Sequence, residues 1–179
     1  MQAPTFKYHP DPLASRSIVR SSKVCDSCGE RRGLIYIGPV YGECDMDEVI
    51  CPWCIADGSA HEHLHVEFVD CEAVDRGVSA AVLDEVCYRT PGYASWSGEH
   101  WPVCCGDACA FVAPMGIADL RALWRDAEGP LMSHVVHDLG VSGSAAVRLV
   151  ESLRRDQAPT LMVFRCLRCE APRFHIDMI

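Results

Sequence analysis

The sequence predicts an α+β protein with zinc-ribbon-like β hairpins and a small set of helices, on three observations. Paired cysteines recur at metal-ligand spacing, short β-forming runs flank them, and stretches of helical periodicity lie between. The organising stretch is residues 24–57. It holds Cys25-Asp26-Ser27-Cys28-Gly29, the strand-like run Leu34-Ile35-Tyr36-Ile37, and Cys51-Pro52-Trp53-Cys54. Two C-x2-C pairs with 22 residues between Cys28 and Cys51 match a four-cysteine zinc ribbon. A C-x2-C turn aims two thiolates at one point while nearby amides reach back to the sulfurs. Two such knuckles face to face complete a tetrahedron, and Gly29 suits the positive φ that follows the turn.

With 179 residues, the chain is the size of one domain or of one domain with a small appendage. A hydrophobic fraction of 49% and a charged fraction of 23% fit a soluble globular protein. No apolar run approaches the ~18 residues that span a bilayer. The opening Met1-Gln2-Ala3-Pro4-Thr5-Phe6-Lys7-Tyr8-His9-Pro10 lacks the basic and apolar regions of a signal peptide. Twelve cysteines then point to a reducing cytoplasm and to metal ligation rather than a disulfide framework. Eight thiolates and two divalent zinc ions would move the formal charge from -9 to about -13. Nucleic acid is a poor partner for such a chain. The basic pairs Arg31 with Arg32, Arg154 with Arg155 and Arg165 with Arg168 are read as solvated faces.

Taken in order, residues 1–23 carry Pro4, Pro10 and Pro12 without periodicity and form an extended arm, packed through Phe6 and Tyr8. Residues 24–70 are the ribbon, and residues 71–179 a helical part closed by a second zinc site, together one compact unit. Ser59 and Glu62 have the spacing of a capping box for a short helix. Ser79 caps a helix over residues 80–88, with Val82 and Val86 inward; Pro91 ends it. Tyr93, Trp96 and Trp101 follow in a Gly- and Ser-containing loop. Ile117, Leu120, Leu123 and Trp124 form one helical stripe and Leu131, Val135, Val136 and Leu139 another, with Gly140 as C-cap. Val147, Val150 and Leu153 give a third. Leu161-Met162-Val163-Phe164 and Phe174-His175-Ile176 are strands of a hairpin tipped by Cys166-Leu167-Arg168-Cys169.

That tip is half a metal site, and Cys105 with Cys109, a looser C-x3-C, is the matching half. Pairing remains open, since the terminal knuckle could meet an earlier one instead. Eight ligands (Cys25, Cys28, Cys51, Cys54, Cys105, Cys109, Cys166, Cys169) satisfy two zinc ions without remainder, which disfavours a redox dithiol. Cys44, Cys71, Cys87 and Cys104 are left as small buried hydrophobes, with Cys44 and Cys104 near enough to the knuckles to be spare ligands.

These residues carry a resemblance. Ile50-Cys51-Pro52-Trp53-Cys54-Ile55-Ala56-Asp57-Gly58-Ser59, Arg89-Thr90-Pro91-Gly92-Tyr93, Cys105-x-Asp107-x-Cys109 and the terminal C-x2-C resemble the CbrC family of small bacterial proteins, from about Phe6 to the C-terminus. The resemblance implies a cytoplasmic protein with paired cysteines, no established enzymatic activity and a link to colicin tolerance. Cys104 stands where the family has His, Ser97 where it has Gln and Ala113 where it has Gly. Adjacent Cys104 and Cys105 leave the ligand register of the second site ambiguous; Cys105 matches the family position.

His61-Glu62-His63-Leu64-His65 satisfies H-E-x-x-H, in which two His on one helical face hold zinc beside a general base. With Glu85 as third ligand it defines the alternative, a zinc hydrolase. Against it stand a turn at its start, β-branched residues just after it, and the capping role of Glu62. His134 and His137, three apart on a helix, are a weaker ligand pair. The leading expectation is a non-enzymatic binding or regulatory module with two structural zinc ions. It meets a protein partner through Arg89, Thr90, Pro91, Gly92, Tyr93, Trp96 and Trp101.

Overall fold

The N-terminal segment runs into the interior. Phe6, Tyr8 and His9 are buried, and Ile18–Arg20 (β1) pairs antiparallel with Leu34–Tyr36 (β2). The structure is a computed structural model that describes residues 2–42 and 48–178. Cys44 therefore lies outside the described residues. Among those residues the fold is α+β, with small antiparallel sheets and six α-helices. No helix among them is long and apolar enough to cross a membrane.

Tyr41–Gly42 (β3) pairs with Val66–Glu67 (β4), and between them lie helices Pro52–Asp57 (α1) and Ser59–Leu64 (α2). Pro52 begins α1, where the missing N–H costs nothing. Gly58, at φ 85°, ends α1 and opens α2 in one residue. The expected Ser59–Glu62 capping box is absent. Ser59 is already helical, and its hydroxyl donates to Asp57 Oδ1 at 2.6 Å.

A 3-10 turn at Cys71–Ala73 precedes helix Ala80–Arg89 (α3), which Ser79 caps by accepting from the Val82 amide at 3.3 Å. Cys71 and Cys87 are joined by a disulfide, which corrects the expectation of two unpaired apolar thiols. The amides of Phe68 and Val69 both donate to the Cys87 carbonyl, and this lays the strand leading to Cys71 along the last turn of α3.

Next come the hairpin Val103–Cys104 (β5) and Asp107–Ala108 (β6), then Ala110–Met115 (β7) and helices Ile117–Leu123 (α4), Glu128–His137 (α5) and Gly143–Ser152 (α6). Thr160–Arg165 (β8) and Pro172–Asp177 (β9) complete an antiparallel sheet in the order β7-β8-β9. Alternation along β8 sends Met162 and Phe164 into a central core with Tyr8, Tyr93, Trp101 and Phe111. Leu161 and Val163 turn the other way, against Leu120, Leu131 and Val150 of the helices. A strand covered on both faces reads as an unbroken apolar run, which is why Leu161–Phe164 shows no polar alternation. A third core, under the ribbon, gathers Phe6, Ile18, Tyr36, Ile50, Ile55 and Phe68.

The helical stripes are rotated from the expected ones. On α6, Ala146 and Val150 are inside while Val147 is 51% exposed; on α4, Leu123 is 70% exposed. Ala146 brings α6 close to its neighbours, which turns Val147 outward. Helix α5 stops at His137, with Gly140 beyond it in a left-handed conformation.

The three cores are tied together by buried polar groups. Tyr8 donates to Asp107 Oδ1 at 2.7 Å, and Asp177, fully buried, accepts from the Trp96 and Ser97 amides at 2.7 and 2.8 Å. Glu99 accepts from the Tyr93 amide at 2.9 Å and the Tyr41 hydroxyl at 3.1 Å, linking the ribbon to the central core. Burial lifts the Glu99 carboxyl to about 7, against the pull of those donors. A carboxyl raised in the folded state stabilises the fold when protonated. That contribution is full below the ordinary 4.5 and fades as pH rises through about 7. Glu99→Gln should therefore gain on the wild type by ~2 kcal/mol between about pH 5.5 and about pH 8. Denaturant unfolding of both metal-loaded proteins across that range measures it; a constant difference would contradict it.

Candidate metal centres

The first centre joins the loop after β1 to the start of α1. Cys25, Cys28, Cys51 and Cys54 place their sulfurs within 4.8 Å of one another. Individual separations are 3.9 Å for Cys25–Cys54, 3.9 Å for Cys28–Cys51 and 3.5 Å for Cys51–Cys54. A zinc tetrahedron with Zn–S bonds of ~2.3 Å has edges of about 3.8 Å. These spacings fit that figure and are far too long for a disulfide. The Cys25 amide donates to the Glu30 carbonyl at 2.9 Å, and the Gly29 amide, at φ 72°, returns to the Cys25 carbonyl at 2.7 Å. The Cys51 amide donates to Cys25 Sγ at 3.2 Å, so one knuckle supports the other's sulfur.

The second centre repeats this construction at the tip of the β8–β9 hairpin. The Cys166 amide donates to the Ala171 carbonyl at 3.0 Å and the Glu170 amide to the Cys166 carbonyl at 3.1 Å. Glu170, at φ 58°, occupies the left-handed position that Gly29 fills in the first knuckle. Facing it is the β5–β6 hairpin, where Cys104 pairs with Asp107 across the two-residue turn Cys105-Gly106, both at positive φ. Cys104, Cys105, Cys166 and Cys169 lie within 4.8 Å of one another, with Cys104 at 3.7 Å from Cys105 and 3.8 Å from Cys169. The predicted C-x3-C register is thus not the one assembled. Cys109 is outside the group, fully buried in the central core, and its carbonyl accepts from Trp101 Nε1 at 2.8 Å. The overlooked signal is the Cys105-Gly106 turn: a two-residue hairpin there puts Cys104 at a strand end, beside Cys105.

The electrostatics ask for a cation in both places. Burial works against ionising Cys166, yet amides of Cys169 and Arg168 at 3.5 and 3.4 Å draw its thiol down to about 6. Burial and the neighbouring thiols push Cys104 up to about 12 and Cys51 well above the usual range. Despite burial, Cys25, like Cys166, is held below the ordinary thiol range by amides that donate to its sulfur, while burial holds Cys51 and Cys104 above it; a divalent ion would offset that cost and the repulsion among the thiolates. Arg173 Nη2 donates to Cys104 Sγ at 2.9 Å and supplies part of that charge at the second centre. The first centre is mostly enclosed, whereas Cys105 and Cys169 of the second are exposed.

The H-E-x-x-H pattern does not converge on a site. Helix α2 ends at Leu64 and His65 turns left-handed at φ 55°, which takes it off the helical face of His61. His61 Nδ1 lies 2.8 Å from the Val66 carbonyl and its ring stacks on Tyr88 at 3.8 Å. Glu62 is exposed, and Glu85 sits with Lys7 and Arg89 rather than with the histidines. In the aromatic loop, Thr90, Pro91, Gly92, Tyr93 and Trp101 are buried and Arg89 is exposed. The surface expected there reduces to Trp96, 70% exposed on a turn that Asp177 pins.

Fold and sites together define an α+β protein with two zinc-ribbon-like four-cysteine clusters able to hold metal. Residues 3–178 match the model of a family described as uncharacterised, UPF0167, and the chain belongs to that family. It is 40% identical to a UPF0167 protein of Pseudomonas aeruginosa over 176 residues, covering 97% of this chain and 96% of that one. UPF0167 proteins of Mycobacterium bovis and Mycobacterium tuberculosis are each 41% identical over 167 residues, covering 93% of this chain and 88% of theirs. No solved structure matches. The narrower CbrC identity is not carried by these relatives.

Substitutions separate the two registers of the second centre. Cys104→Ser should leave about one tightly held metal per folded chain, while Cys109→Ala should keep two. Elemental analysis of the purified variants measures this, and the reverse result would restore the C-x3-C register.

Proposed function

We propose that the protein is a cytoplasmic, non-enzymatic binding module whose two zinc ions, each held by four cysteines, are structural. The carrying observation is the closed sulfur shell at both clusters, with sulfur separations matching the edges of a zinc tetrahedron. Four thiolates leave no coordination position for a substrate or an activated water.

The contact with a protein partner is assigned to Trp96. Its indole stands out from a turn whose amides are held by the buried Asp177, beside a cavity of about 310 Å³ lined by Ala94, Pro114, Arg155, Thr160 and Met162. A rigidly mounted, exposed aromatic beside a concave apolar surface loses little entropy on docking, the common character of interface anchors. A connection to colicin or envelope-stress tolerance rests on the CbrC resemblance alone. Capture of partners from a lysate of the native bacterium should fall at least about tenfold for Trp96→Ala, with the metal content unchanged at two per chain. Equal capture by variant and wild type would reject Trp96 as the contact.

A further inference from the structure

The two thiolate clusters differ in how far their sulfurs are open to solvent. In the first, Cys25, Cys51 and Cys54 are buried and Cys28 is half-buried. In the second, Cys104 and Cys166 are buried, but Cys105 and Cys169 are exposed. The cause is local. Cys51 opens α1 over the third core, between the fully buried Ile50 and Ile55. Cys105 and Cys169 sit on hairpin turns whose neighbours Gly106, Arg168 and Glu170 are exposed as well. A cysteine that ligates metal does so as the thiolate, and attack by peroxide follows thiolate character and exposure.

An oxidised sulfur also needs a second sulfur in reach. Cys169 Sγ lies 3.8 Å from Cys104 Sγ at the end of β5, on a segment 65 positions away. Arg173 Nη2 donates to Cys104 Sγ at 2.9 Å and holds that sulfur beside the β8–β9 tip. The other thiols are worse placed. Cys166 is buried, and its sulfur accepts the amides of Arg168 and Cys169 at 3.4 and 3.5 Å. Cys105 stands 3.7 Å from Cys104, but the two are sequence neighbours. Their Cα atoms are about 3.8 Å apart, closer than the roughly 4.4 Å that a disulfide needs. Cys109 is fully buried in the central core.

We propose that Cys169 is an oxidative modification site, at which hydrogen peroxide closes a disulfide to Cys104. The Cys169 thiolate takes one oxygen of the peroxide. The O–O bond breaks, hydroxide leaves, and the sulfur becomes a sulfenic acid. The Cys104 thiolate then attacks that sulfur, so that the S–S bond forms, the S–O bond breaks and a second hydroxide leaves. Two electrons pass from the two sulfurs to peroxide, and solvent protons turn both hydroxides into water. Cys105 and Cys166 remain as half a donor set, too few to retain metal at the second centre. The covalent link replaces the metal between the same two hairpins, while the enclosed first centre keeps its four thiols.

The test treats the full, zinc-loaded chain, freed of added reductant, with about a tenfold excess of hydrogen peroxide. Released zinc is followed with a chromogenic chelator, and disulfides are mapped by tandem mass spectrometry on matched samples. Expected is release of about one zinc per chain, at least about tenfold faster than the other, in step with a Cys104–Cys169 link. Cys109→Ala should form the same link at the same rate. A first new linkage between any other pair, no new linkage, or equal rates of release from the two centres would overturn the proposal. The inference rests on the structural-zinc reading for the metal it releases. Zinc counted before peroxide is added tests that reading alone, and the mapped linkage decides the proposal whatever that count is.

Discussion

Four sulfurs held within 4.8 Å of one another cannot all carry charge in a protein interior unless a cation stands between them. That constraint shapes the rest of the molecule. The knuckles surrender backbone to tight turns, with Gly29, Cys105, Gly106 and Glu170 all at positive φ. Such turns bury little apolar surface of their own. Structural zinc supplies on the order of 10–16 kcal/mol per site at neutral pH, as much as the whole stability of an ordinary domain. With zinc bound at both clusters, the ribbon and the hairpin that face these turns would be organised by metal as much as by apolar burial.

The two centres follow one plan with different surroundings. Each has a knuckle of the C-x2-C kind whose first amide reaches five residues forward and whose fifth amide returns. The opposing half differs: a helix N-terminus led by Cys51 in one case, a two-residue hairpin in the other. Between them the central core packs Tyr93, Trp101, Phe111 and Phe164 edge and face on one another. Lys7 and Tyr8 lock the N-terminal segment onto Asp107, next to the cysteine-bearing turn. The second centre is thus held by the chain's beginning, middle and end.

The first centre was legible because its ligands form two local C-x2-C pairs, and spacing alone places such sulfurs. The second was only half legible. Its terminal knuckle is local, but the choice between Cys104 and Cys109 depends on a hairpin register that a short, Gly-containing turn decides. The aromatic loop misleads for a related reason. Trp96 and Trp101 look alike in sequence, yet the Trp101 indole finds the Cys109 carbonyl inside the core while Trp96 has nothing to pack under. The helical stripes gave helix positions but not rotation, since Ala146, weakly apolar on its own, takes the inward place that Val147 was expected to hold. Cys71 and Cys87 lie too far apart in sequence for spacing to pair them; tertiary contacts with the end of α3 do so.

If the thiolate centres organise the fold, the ribbon, the terminal hairpin and the central core should fail together once metal is withdrawn. The most direct measurement is near-ultraviolet circular dichroism under reducing conditions during chelation, followed by return of zinc. The buried Tyr93 and Trp101 report on the central core. Loss of their signal on chelation and its recovery with about two zinc ions per chain is the predicted result. A metal-free, reduced chain that kept its full aromatic signal would contradict it.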